Sequence, residues 1–81
     1  MKKKIWFVFM VLMSVQVLAT SALDRAEQLY LNQEYQQSIY IYERYLKTHP
    51  VSHEVLYNLG NCYFKKEKYG KAIIYYRRAL N

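Results

Sequence analysis

His49 and His53 stand four residues apart, a spacing at which two side chains on one helix could share a metal ion. Pro50 lies between them and cannot continue a helix, so the two rings do not share a face. No cysteine or carboxylate completes a recognisable metal motif around them, and they read as exposed turn histidines. Cys62 is the single cysteine. It can make no internal disulfide, and no base stands at a spacing that would activate it as a nucleophile. It falls within a packed helix and reads as a small core residue. Glu27, Glu34, Glu43, Glu54 and Glu67 are scattered singly, with no pair placed for acid–base work, and there is no glycine-rich phosphate loop. These residues imply no metal, no cofactor and no catalysis.

Lys65, Lys66, Lys68 and Lys71 surround Tyr69 in a basic stretch that nucleic acid or anionic lipid could engage. A solvated turn between two helices explains it better. Beyond residue 22 nine basic residues face six acidic ones, a balance of about +3, which is too mild to point to nucleic acid.

The elements that carry these residues repeat with a period of 34. Tyr35 falls on Tyr69, Ile39 on Ile73, Tyr42 on Tyr76 and Leu46 on Leu80. Small residues keep their places too: Ala26 on Gly60, and Ser38 on Ala72. Leu56, Leu59, Gly60 and Tyr63 recur at helical spacing and form one apolar stripe. Gly60 costs its helix about 1 kcal/mol relative to alanine, a cost accepted where two helices must approach closely. Pro50 ends one helix near Thr48, and Ser52 can cap the next, with Glu54 in its first turn. Four helices are predicted, at about 23–32, 35–48, 53–66 and 69–80.

The second unit, with Leu56, Leu59, Gly60 and Tyr63 and then Ala72, Tyr76 and Ala79, closely resembles the tetratricopeptide repeat (TPR) family. Leu56 replaces the family's usual Trp, and Pro50 stands where a unit closes. The resemblance implies an all-α fold of two helix–turn–helix units, four antiparallel helices in a right-handed solenoid. Residues 23–52 form a degenerate, cap-like first repeat, and residues 53–81 a second repeat that stops before its closing turn. Ala26, Leu29 and Tyr42 are the packing places of the first unit; Tyr35, Tyr69, Tyr76 and Tyr63 are likewise expected in the core. Arg25 stands where the family has Leu, and Tyr45 where it has Ala, departures expected of a terminal repeat that caps the stack. More narrowly, Tyr57-Asn-Leu-Gly-Asn-Cys-Tyr-Phe64 and Tyr69-Gly-Lys-Ala-Ile-Ile74 are similar to the TPR proteins of the Bacteroides aerotolerance group, which are exported envelope proteins.

Lys2, Lys3 and Lys4 precede an apolar run from Ile5 to Met13, and small residues follow at Ala19 to Ala22. This is the order of a secretory signal peptide over residues 1–22, cut after Ala22 or alternatively after Ala19. An uncleaved membrane anchor is the competing reading, though Ser14, Gln16, Thr20 and Ser21 dilute the run; a buried helix of a cytosolic protein is a third. Under the first two readings the body is exported, either periplasmic or tethered to the cytoplasmic membrane, and touches lipid only through residues 5–22 if these stay.

In the TPR fold the first helix of each unit lines a concave groove. The resemblance places Tyr57, Asn61, Phe64 and Lys65 there from the second unit, and Leu23, Glu27, Tyr30 and Leu31 from the first. Aromatic residues would anchor a protein segment, Asn61 would bond its backbone, and Lys65 would favour an acidic partner. The implied function is a non-catalytic adaptor that binds a peptide or helix of an envelope protein. The alternative is a packing or self-association unit, part of a longer array or of a homo-oligomer, without a groove ligand.

Overall fold

A computed structural model describes residues 21–81. The expected signal or anchor therefore lies, apart from Ser21 and Ala22, outside the described residues. The rest is all helical: α1 (Ala22–Leu31), α2 (Tyr35–Thr48), α3 (His53–Lys65) and α4 (Tyr69–Leu80). Each helix agrees with its predicted span to within one residue at either end. Among the described residues no helix is long and apolar enough to cross a membrane.

Local chemistry sets the ends. Ser21 caps α1 by accepting hydrogen bonds from the backbone N–H of Leu23 and Asp24, at 3.0 and 3.3 Å. Ser52 does the same for α3 through Val55 N–H at 3.4 Å. Helices α1 and α3 end alike. Gln33 and Glu67, 34 residues apart, both take a left-handed backbone, with φ of 65° and 62°. At each, paired backbone bonds close the helix: Gln33 N–H to Tyr30 and Glu34 N–H to Leu29, then Glu67 N–H to Phe64 and Lys68 N–H to Tyr63, all at 2.8–2.9 Å. This is the Schellman closure, here made without glycine.

Neighbouring helices run antiparallel. Ala26 meets Ser38 near the middle of the first pair, and His53 reaches Ala79 at the far end of the second. The core gathers Ala26, Ile39, Tyr42, Val55, Leu59, Cys62, Tyr63 and Ala72. A polar thread crosses it: Ser38 Oγ donates to the Ala26 carbonyl at 2.7 Å, and Cys62 Sγ approaches Ser38 Oγ at 3.6 Å. Three helices are thus tied through one small hydroxyl that is wholly buried. Gly60 lies where the α4 ring of Tyr76 passes closest to α3; a Cβ there would sit 2.5 Å from two of its ring carbons.

The remaining packing places divide. Leu56 is buried, Leu29 and Ala79 are half-buried, and Pro50 is exposed in the turn. Arg25 points to solvent, and Tyr45 lies half-buried with its ring stacked on His49 at 4.1 Å. The tyrosines expected in the core also divide. Tyr42 and Tyr63 are buried, Tyr35 and Tyr76 half-buried, but Tyr69 is exposed and stands edge-on to Phe64 at 5.3 Å. The cause is positional. In the first unit the corresponding face of α2 is covered by α3; among the described residues no helix covers that face of α4. Ile39 is accordingly 1% exposed and its counterpart Ile73 is 49% exposed.

Candidate functional site

The two first helices, α1 and α3, flank a cavity of about 290 Å³ lined by Glu27, Tyr30, Leu31, Tyr42, Glu54, Asn58 and Asn61. Side-chain spacing builds both walls. Glu27, Tyr30 and Leu31 lie at i, i+3 and i+4 on α1; Glu54, Asn58 and Asn61 lie at i, i+4 and i+7 on α3, one face in each case. Tyr42 rises from α2 between them and is only 2% exposed.

Four of the groove residues expected from sequence therefore meet in one place: Glu27, Tyr30, Leu31 and Asn61. Tyr57, Phe64 and Lys65 lie on the same helix but outside this cavity, exposed to solvent. Leu23 is half-buried against the core instead. Tyr57 leans on Tyr76 at 5.6 Å. Asn61 is not a free amide: its Oδ1 accepts from the Tyr76 hydroxyl at 2.5 Å, so only its NH₂ is open to a ligand. Three lining residues were missed. Tyr42 was assigned to the core alone, Glu54 was read as a first-turn acid, and Asn58 was passed over. The i, i+4, i+7 spacing of Glu54, Asn58 and Asn61 was the signal that could have found them.

The ionisable groups fit a binding surface better than a reactive one. Cys62 is wholly buried, and burial raises its thiol above the ordinary value, so the nucleophilic thiolate is disfavoured. His53 donates from Nδ1 to the Ala79 carbonyl at 2.7 Å, closing the C-terminal end of α4. His49 Nδ1 lies 2.9 Å from the Thr48 hydroxyl. No three metal-binding side chains converge among the described residues. On the opposite side of the molecule Tyr63 donates to Glu43 at 2.8 Å, Tyr75 stacks on Tyr63 at 5.5 Å, and Lys71 and Arg78 sit over these two rings at 5.3 and 5.4 Å. Lys66 is bonded to Gln36 across the α2–α3 boundary. Lys66 and Lys71 of the basic stretch are thus engaged within the fold.

Burial, followed by the Cys62 and Glu27 charges, pushes Tyr42 up to about 12, and burial and the bond to Glu43 push Tyr63 higher still. The ordinary tyrosine value is 10.0. An unfolded chain releases these protons near pH 10 while the fold retains them, so stability is whole below about pH 10 and falls as pH rises toward 12. Helix content followed by circular dichroism should collapse across that window. Tyr42→Phe should make the loss per pH unit shallower; an unchanged slope would mean that this hydroxyl is not held from solvent.

No curated protein matches the chain. Residues 53–81 match the tetratricopeptide repeat family. That span is the α3–α4 pair, with Gly60 against Tyr76 and Ala72 in the core, and α1–α2 packs beside it in the same antiparallel form. The α3–α4 pair thus matches a tetratricopeptide repeat, a kind of helical unit that typically serves protein–protein contact and is typically non-catalytic.

Proposed function

We propose that this protein is an adaptor of the bacterial cell envelope, whose concave groove binds a peptide segment or helix of a protein partner. The observation that carries the reading is the cavity between α1 and α3, where polar and aromatic side chains from both units converge on open space. Export rests on Lys2 to Lys4, the apolar run after them and the small residues that follow. Whether the leader is cut or kept as a tether, the helical body stands outside the cytoplasm. The narrower likeness to the aerotolerance group rests on the sequence strings alone and adds only the envelope setting.

A second reading is favoured by the exposed face of α4. Ile73 and Leu80 match residues that α3 shields in the first unit, so a further helix, from a longer array or a second copy, would bury them. On that reading the molecule is a packing unit.

The test is a crosslinked pull-down from the cell envelope with the tagged full chain, beside a Glu27→Ala/Leu31→Ala/Glu54→Ala version. All three side chains line the cavity and are exposed, so helix content should be unchanged. A partner held by the native chain should be reduced about tenfold or more by the variant, the loss of about 1.4 kcal/mol of contact. Equal capture by both would remove the groove assignment and leave the packing unit.

A further inference from the structure

The cavity has the opposite charge to the body around it. Beyond residue 22 basic side chains outnumber acidic ones, yet Glu27 and Glu54 line the cavity and no lysine or arginine does. Positive charge is concentrated on the second helices instead: Arg44 and Lys47 on α2, and Lys71, Arg77 and Arg78 on α4. Lys65, expected to draw an acidic partner, lies outside the cavity. Two carboxylates facing one small space repel each other, and a cation between them relieves that repulsion.

The remaining lining residues suit more than a bare ion. Tyr30 and Leu31 give an apolar wall along which a methylene stem can lie while its charged head reaches the carboxylates. Tyr42, 2% exposed, lines the cavity with its hydroxyl bonded by the Asn58 side chain. The NH₂ of Asn61 is a donor to a peptide carbonyl next to the cationic side chain.

From this juxtaposition we propose that the cavity seats a lysine or arginine side chain from an extended basic stretch of the partner protein. The inference rests on the groove reading above and specifies its ligand. The cation lies between Glu27 and Glu54, its stem lies on Tyr30 and Leu31, and the adjoining backbone carbonyl accepts from the Asn61 NH₂.

The experiment is an NMR titration of the full 81-residue chain in detergent micelles, observing the side-chain amides of Asn58 and Asn61. The probes are an acetylated Gly-Arg-Gly-Arg-Gly-Arg amide, its neutral citrulline counterpart and its glutamate counterpart. The arginine peptide should give saturable shifts at both amides, the citrulline peptide should bind about tenfold more weakly or less, and Glu27→Gln/Glu54→Gln should reduce arginine-peptide binding by a similar factor. Both substitutions keep shape and lie at exposed positions, so the fold is retained. Citrulline binding as tight as arginine, or preference for the glutamate peptide, overturns the charge inference and leaves the groove reading standing. No shift at either amide with any of the three peptides overturns both.

Discussion

Leu59→Ala should lower stability by about 3 kcal/mol, within the roughly 2–5 kcal/mol that such core truncations cost. Leu59 is wholly buried and lies at the centre of the apolar stripe of α3, among residues contributed by all four helices. The substitution removes its transfer energy and leaves a void that four short helices cannot all move to fill. A domain of this size holds only about 3–9 kcal/mol in total, so the substitution should remove from about a third to all of it. Urea denaturation of both chains measures the difference directly. A loss under about 1 kcal/mol would mean that the site collapses freely and that α3 is not clamped between its neighbours.

Gly60→Ala should also destabilise, by about 2 kcal/mol, although alanine is by itself the better helix former by about 1 kcal/mol. The added methyl would stand 2.5 Å from Cδ1 and Cε1 of Tyr76 and 3.0 Å from Cζ. That ring is not free to swing. Its hydroxyl is bonded to Asn61 on the same helix as Gly60, and Tyr57 leans on its face. Moving it breaks the bond or pushes α4 away from α3. In a Tyr76→Ala background the obstruction is gone, and Gly60→Ala should then stabilise by about the helix-propensity difference. A double-mutant cycle with the same sign in both backgrounds would show that the contact does not set the distance between the helices.

These two residues belong to the part of the fold that was readable in advance. Leu59 and Gly60 sit in a stripe with helical spacing, and the 34-residue repeat marks Gly60 as a small residue where two helices approach closely. The caps were equally visible, because Ser52 and Pro50 act within a few residues of themselves. What local pattern could not supply was the outcome of stacking. Tyr69 and Ile73 repeat the types of Tyr35 and Ile39, yet a helix covers the first pair and, among the described residues, none covers the second. The cavity suffered the same way. Glu54 and Asn58 look like ordinary surface residues of α3, and only the approach of α1 and the rise of Tyr42 from α2 turn them toward a shared space. Ser38 is another case, since its role depends on carbonyl and thiol partners 12 and 24 residues away.

The cap at Ser21 has a consequence for maturation. A leader peptidase cutting after Ala22 would remove both the hydroxyl that holds Leu23 and Asp24 N–H and the first residue of α1. It would also leave a new ammonium group against the positive end of that helix, where like charge is disfavoured. α1 has 10 residues to the 13 of α3, so the loss falls on the shorter first helix of the pair. A cut after Ala19 would leave Thr20 ahead of the cap and keep α1 intact. If the proposed leader is cleaved, the position of that cut would set how firmly the wall bearing Glu27, Tyr30 and Leu31 is held, and a difference of three residues would act on the groove from its far end.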